Sequence, residues 1–131
     1  MIGLDTNVLA RCIAQDDPAQ SLKATRLMEG LSVEAPGFVS LIALVATTWA
    51  PAGRNQSKRT DVAHIVEAIL KTRELSVEQS ETVWKALRLF VSSKADLADC
   101  LIERSGREAQ CDYTATFDLS AAKTAGMRRI D

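Results

Sequence analysis

Three aspartates, Asp5, Asp99 and Asp118, have the residue type and the placement to bind a divalent metal ion. Asp5 and Asp118 each directly follow a stretch that predicts a strand, and Asp99 lies on the helix that leads into the second strand. If both strands are central and parallel, Asp5 and Asp118 arrive at the same edge of a sheet, where ligands gather. Converging carboxylates repel each other, and Mg²⁺ or Mn²⁺, which suit oxygen ligands, would relieve that repulsion. Such a site could polarise a phosphodiester and activate a water molecule for in-line attack.

Two further acids could join this group. Asp96 lies about one turn before Asp99, and Glu103 lies one turn after it on a related helix face. The alternative is purely structural, because an aspartate after a strand commonly caps a helix or closes a turn. Asp99 by itself could equally be a solvated helix residue. Composition alone favours the structural alternative, and both interpretations stay open on these residues.

The elements that must position the acids are short strands alternating with helices. Asp17 is a candidate N-cap with Pro18 in the first turn of its helix. The apolar run after Ser40 is either a buried helix or a long buried strand, since periodicity alone does not decide. The alternation predicts one three-layer α/β domain over residues 1–131 with a parallel sheet. The predicted strands are Ile2 with Leu4, Phe38-Val39, Leu75 to Val77, Cys111 to Phe117 and Met127 to Ile130.

Bulk properties narrow the class of protein. The chain has 131 residues, 47% of them hydrophobic, and a formal net charge of −1, so it lacks the strongly basic footprint of many nucleic-acid-binding domains. His64 is the only histidine, which argues against a histidine-based triad or zinc site. The three cysteines lack metal-ligand spacing and predict reduced thiols. The reduced thiols indicate a cytoplasmic protein. Without a basic leader or an apolar run long enough to span a bilayer, we expect neither a signal peptide nor a membrane-spanning segment.

Four segments of the chain form a pattern: in chain order, IGLDTN, FVS before the apolar run, ADLADCLI and the late TFD. Together they resemble the PIN-domain family, and most closely the VapC-type toxins of bacterial toxin–antitoxin pairs. The resemblance spans nearly the whole chain. It implies a parallel sheet of about five strands flanked by helices. It also implies an endoribonuclease that depends on Mg²⁺ or Mn²⁺, is neutralised by a cognate VapB-like antitoxin, and forms a homodimer.

The resemblance also implies roles for individual residues. Asp5 matches the first acidic metal ligand, and Asp99 and Asp118 match the later two. Thr6 and Asn7 match the hydroxyl and amide neighbours of the first acid, with Asn7 orienting the carboxylate or a metal-bound water. Thr6 is at least as good a candidate for a helix cap. Asp96 matches a position that is often polar or acidic and is a weaker metal candidate.

One position departs from the family pattern. The glutamate expected on the helix after Phe38-Val39-Ser40 falls on Ala46. Losing one of four carboxylates should lower both metal affinity and phosphodiester cleavage. The alternative function is therefore a catalytically silent PIN-like module that binds an antitoxin or RNA without cleaving it. A phosphorylated receiver-type domain is disfavoured, because Asp5 is followed by Thr6 and Asn7 rather than paired with another acid.

Candidate surfaces for partners follow from charge and hydrophobicity. Four basic residues could contact RNA phosphates, although each singly fits solvated surface charge. Four apolar residues are candidates for a groove that holds the antitoxin, and they fit an ordinary core equally well. The chain has few aromatic residues, and none of them can be assigned from the sequence as a stacking platform for RNA bases. The basic candidates are Arg11, Arg54, Lys58 and Arg59, and the apolar candidates are Leu9, Ile13, Leu41 and Val45.

Overall fold

A computed structural model describes residues 1–15, 17–55 and 59–131, with the backbone alone for residues 49–55. The chain divides into two compact units, Met1–Glu78 and Gln79–Asp131. Each unit combines helices with parallel strand pairing. The predicted α/β class is therefore confirmed, while the single domain over residues 1–131 stays a prediction.

In its described residues, the first unit has three short parallel strands and four helices. The strands lie in the order β1-β2-β3, with Gly3 opposite Phe38 and Phe38 opposite Ser76. Parallel neighbours require crossover connections, and here each crossover contains a pair of helices. The elements are β1 (Ile2–Gly3), α1 (Thr6–Ala14), α2 (Pro18–Glu29), β2 (Gly37–Val39), α3 (Leu41–Asn55), α4 (Arg59–Lys71) and β3 (Leu75–Val77).

Local capping explains where two of these helices begin. The Asp17 carboxylate accepts a hydrogen bond from the Gln20 backbone N–H at 3.1 Å, and Pro18 is the first residue of α2, as predicted. Ser40 Oγ accepts one from the Ala43 backbone N–H at 3.1 Å. The apolar run after Ser40 is thus the helix α3, which decides between the two alternatives that periodicity left open.

The core of the first unit lies between the sheet and its helices. Helix α1 packs against α2 and α3, and α4 packs against α3 and β3. Leu4 is buried, but Ile2 is exposed, so only one of the two residues predicted to be buried at the first strand is so. The largest fully buried side chains of this unit are Val39, Leu44, Thr47 and Val66.

The second unit consists of a packed helix pair followed by a two-stranded parallel sheet. Helix α5 packs against α6, and Val83, Leu87 and Phe90, which share one face of α5, are buried. Val91, at the margin of that face, is 67% exposed. The elements are α5 (Ser80–Ser92), α6 (Leu97–Glu108), β4 (Ala115–Thr116), α7 (Leu119–Thr124) and β5 (Arg128–Arg129).

The strand predicted over Cys111 to Phe117 is wrong for most of its length. Only Ala115 and Thr116 pair, with Arg128 and Arg129 respectively. Alternating β-forming residues indicate an extended backbone. A strand also needs hydrogen-bonded pairing with a neighbouring strand, and here that pairing covers only two residues. Among the described residues, the strands form one sheet of three and one of two, and a continuous five-stranded sheet is not seen. In the same part of the chain, every helix is too short or too polar to cross a bilayer.

Candidate functional site

Asp5 lies at the edge of the three-stranded sheet, as its place in the sequence predicts. The Leu4 N–H donates to Phe38 O, and the Glu78 N–H donates to Val39 O, each at 2.9 Å, so the ladder extends one step beyond the strands. This register puts Asp5, Ser40 and Glu78 at the same level, each just beyond the end of a different strand. The edge therefore carries two carboxylates and a hydroxyl.

Glu78 is a polar residue of this edge that the sequence interpretation missed. Its Oε1 accepts a hydrogen bond from the Leu41 backbone N–H at 2.9 Å, at the start of α3. An anionic acceptor is favoured there because the first turn of a helix presents unsatisfied N–H groups and a positive dipole end. Aligning the three predicted strands by their last apolar residues would have shown that Glu78 comes level with Asp5.

The residues beside Asp5 form the start of α1. Asp5 occupies the N-cap position, and its carboxylate makes no capping hydrogen bond to the described helix. Thr6 is the first helical residue, so its prediction as the helix cap is wrong because the residue before it holds that position. Asn7 is exposed on α1, and Ala46 is half-buried on α3, the helix against which α1 packs.

The acids of the second unit lie at two helix N-termini. Asp96 occupies the N-cap position of α6 without a side-chain capping bond in the described structure, and Asp99 lies in the first turn of that helix. Asp118 is the N-cap of α7, and its Oδ1 accepts a hydrogen bond from the Ser120 backbone N–H at 2.8 Å. The structural interpretation thus applies to Asp118, whose capping bond uses one of its two carboxylate oxygens.

Asp99 interacts electrostatically with both Asp96 and Asp118. Partial burial raises the pKa of the Asp99 carboxyl, and the neighbouring charges of Asp96 and Asp118 raise it further. A cation bound beside Asp99 would relieve this repulsion. Within residues 1–15, 17–55 and 59–131, however, no three His, Cys, Asp or Glu side chains are arranged to hold a metal ion. Asp96, Asp99 and Asp118 therefore interact electrostatically, but they do not form a complete set of metal ligands.

Glu103 is engaged in an ion cluster. Its side chain is 4% exposed and bonds to Arg104, and Arg107 Nε donates to its Oε2 at 2.8 Å. A buried carboxylate needs such partners, since desolvation of an unpaired charge is costly. Glu103 therefore points inward, but its charge is neutralised by arginines. It is a poor substitute for the glutamate missing at Ala46.

The residues predicted to contact RNA or the antitoxin differ in their exposure and in their hydrogen bonds. Arg11 Nε donates to Gln20 Oε1 at 2.7 Å, and Arg59 is exposed. Lys58 and the Arg54 side chain lie outside the described residues. Among the four apolar candidates, Leu9 is buried in the core and Ile13 is exposed, while the other two are half-buried: Leu41 and Val45.

Comparison of the chain with known protein families and with curated proteins gives no match. The resemblance to the PIN-domain family therefore depends on the four sequence segments alone.

Proposed function

We propose that the chain is a PIN-like, metal-dependent endoribonuclease of the VapC type that cleaves RNA phosphodiester bonds and is neutralised by a cognate antitoxin. The observation that supports it best is the grouping of Asp96 and Asp99 at the start of α6 with Asp118 at the start of α7, close enough for the charges of Asp96 and Asp118 to raise the pKa of Asp99. Acids whose pKa is perturbed by neighbouring charges are more frequent at functional sites than elsewhere. The motif order in the sequence adds the expectation that Asp5 shares in metal binding.

The donor set suits Mg²⁺ or Mn²⁺, because every proposed ligand supplies carboxylate oxygen. Asp5, Asp99 and Asp118 would hold the ion, with Asp96 as a weaker ligand. When bound, such an ion polarises the phosphate and lowers the pKa of a coordinated water. Asn7, exposed beside Asp5, would orient that carboxylate by a hydrogen bond, and Thr6 supplies a hydroxyl at the helix start.

We further propose that the strands of the chain form one parallel sheet of about five strands. The protein would be a homodimer in the cytoplasm, and an antitoxin would be held against the apolar residues of α1 and α3. The exposed Ile13 and the half-buried Leu41 and Val45 are the parts of that surface available for contact.

A second candidate function is a silent module that captures antitoxin or RNA without cleavage. Ala46 supports it, because the acid that the family pattern expects there is absent. The pairing of Glu103 with arginines also supports it, since that carboxylate is already neutralised. Under this alternative the fold and the partner surfaces remain while metal affinity is low.

Metal titration and RNA cleavage separate the two functions. We would titrate Mn²⁺ calorimetrically into the chain and into Ala46→Glu, with Ala46→Gln as a control of the same length but without charge. The enzyme proposal expects Ala46→Glu, but not Ala46→Gln, to bind Mn²⁺ at least tenfold more tightly and to cleave single-stranded RNA faster, in a reaction that chelator stops. If neither the chain nor Ala46→Glu binds Mn²⁺ or cleaves RNA, the enzyme proposal is wrong and the silent module is favoured.

A further inference from the structure

A cavity of about 520 Å³ lies within the second unit, between α6 and the loops that flank β4 and β5. Its volume falls in the range typical of small-ligand sites, roughly 300–1,000 Å³. Its lining includes the buried Glu103, the cations Arg107 and Arg128, and the aromatic ring of Tyr113. None of the acids Asp96, Asp99 and Asp118 lines this cavity, so it differs from the proposed metal site.

An arginine–aromatic stack forms one part of the wall. The Arg128 guanidinium carbon lies 3.9 Å from the centre of the Tyr113 ring. The pairing brings Arg128 beside the segment that carries Tyr113: Arg128 is opposite Ala115, and its backbone N–H donates to Thr114 O at 2.8 Å, next to Tyr113. Tyr113 is 49% exposed and Arg128 is exposed, so a ligand can reach the stack.

Arg107 supplies a positioned cation on the α6 side. Its Nε is bonded to the buried Glu103, while the side chain as a whole remains 62% exposed. This leaves the terminal guanidinium nitrogens as donors for an anion, a geometry well suited to phosphate. The charged groups facing the cavity, with Arg104 behind them, sum to a small positive charge, since Glu103 and Asp112 offset two of the three arginines.

Two glycines keep the space open. A Cβ at Gly106 would lie 2.8 Å from Thr114 Oγ1, so a side chain there would push against the opposite wall. Gly126 has a φ of +81°, and a Cβ there would lie 3.8 Å from Arg107 Nη2. A side chain at Gly126 would therefore contact the cation, and it would strain the backbone, because residues other than glycine rarely adopt this φ.

We propose that this cavity binds one nucleotide, with the base stacked on the Arg128–Tyr113 pair and the phosphate held by Arg107. Bases of single-stranded RNA are commonly recognised by stacking on aromatic rings and guanidinium planes. The stack thus supplies the base platform that the sequence did not reveal. As a contact for RNA, this role rests on the proposed ribonuclease function, whereas nucleotide binding as such stands on the cavity alone.

Nucleotide binding is measured without divalent metal ions, so that the proposed metal-dependent cleavage does not occur. In EDTA, the full chain is titrated with adenosine and uridine monophosphates and with a fluorescent single-stranded oligoribonucleotide. We expect Tyr113→Ala and Arg128→Ala to weaken binding roughly tenfold or more and Tyr113→Phe to preserve it. Arg88→Ala, which removes an exposed arginine of the same unit outside the cavity lining, is the matched control and should leave affinity unchanged.

A second readout locates the ligand. Cys111 is exposed and lines the cavity, so a bound nucleotide should slow its reaction with a thiol reagent, whereas Cys12, in the other unit, should react as before. Protection by the monophosphates alone indicates a free nucleotide, and protection by the oligoribonucleotide alone indicates RNA; either supports the proposal. No binding by either probe, or equal binding by the folded Tyr113→Ala and Arg128→Ala variants, overturns it. Loss of Mn²⁺-dependent cleavage with intact cavity binding would instead count against the ribonuclease function.

Discussion

Glu78 Oε1 accepts the Leu41 backbone N–H at 2.9 Å, which ties the end of β3 to the first turn of α3. Leu41 is the first residue of α3, and the rest of α3, α4 and β3 lie between it and Glu78, so this bond joins the two ends of a crossover. The same side chain is level with Asp5 at the sheet edge. A residue that the proposed chemistry does not use thus fixes the start of the helix on which the missing glutamate would lie.

We predict that Glu78→Ala lowers the free energy of unfolding by about 1 kcal/mol, because a helix N-terminus loses its side-chain acceptor. Glu78→Gln should cost less, about 0.5 kcal/mol, since the amide oxygen can accept the bond but lacks the charge that the helix dipole favours. Urea unfolding measures both. Glu34→Gln, at an exposed position in the turn before β2, is the control and should change little. Equal stability of Glu78→Ala and the parent chain would contradict the capping role.

The two strand glycines should respond in opposite ways to alanine. A Cβ at Gly37 would lie 2.8 Å from Leu4 Cδ1 and 2.9 Å from Leu31 Cδ1, whereas a Cβ at Gly3 would meet nothing within 4 Å. Overpacking of a buried site costs roughly 1–3 kcal/mol. We therefore expect Gly37→Ala to destabilise by about that amount and Gly3→Ala to leave the thermal midpoint close to the parent value. Identical thermal midpoints of Gly37→Ala and the parent chain would show that the Leu4 and Leu31 side chains move aside without a loss of stability.

Asp118→Asn separates the structural role of Asp118 from its proposed chemical role. Asparagine caps helices as well as aspartate does, so the bond to Ser120 should survive and the stability should change by less than about 0.5 kcal/mol. Asp118→Ala should lose about 1 kcal/mol. If Asp118 binds metal, Asp118→Asn should weaken Mn²⁺ binding at least tenfold despite its normal stability, as calorimetry on Ala46→Glu with and without this change would measure. Unchanged Mn²⁺ affinity would restrict Asp118 to capping.

The raised pKa of Asp99 predicts a pH-dependent stability. Because the folded protein holds this proton more tightly than the unfolded chain, the contribution of Asp99 is present below the ordinary aspartate pKa, about 3.9. It is lost as the pH rises through the raised folded value. In EDTA at pH 7, Asp99→Asn should therefore be more stable than the parent by up to about 1 kcal/mol, and the gain should vanish near pH 3. Urea unfolding at both pH values tests this, with the terminal Asp131→Asn as control; a gain independent of pH would point to another cause.

Local signals can identify the starts of α2 and α3, but they did not identify the start of α1, where Asp5 and not Thr6 holds the N-cap position. Asp17 with Pro18, and Ser40 before Leu41, can be recognised from the sequence because the cap and the N–H that it accepts lie within three residues. The identity of α3 could not be decided in this way, since a run that is apolar on all sides suits any fully buried element. The strand at Cys111 to Phe117 failed for a related reason: strand length is decided by the partner, which sequence alternation does not show.

The candidate site was only partly predictable. The placement of Asp5 after β1 and of Asp118 after β4 follows from apolar runs that end in an acid. The burial of Glu103 and its pairing with Arg107 depend on how α6 packs, and spacing alone did not reveal it. Likewise, the contact between Tyr113 and Arg128 depends on the register of β4 and β5, which no local pattern specifies.

The short strands of the first unit have a consequence for how it folds. Each ladder pairs residues that lie tens of positions apart, such as Gly3 with Phe38 and Phe38 with Ser76. Closing such distant segments costs chain entropy that a ladder of two or three residues repays only weakly. We therefore expect the helices to form and dock before the sheet does. In a pulsed hydrogen-exchange experiment, the amide of Leu4 should become protected later than the amides within α1 and α3.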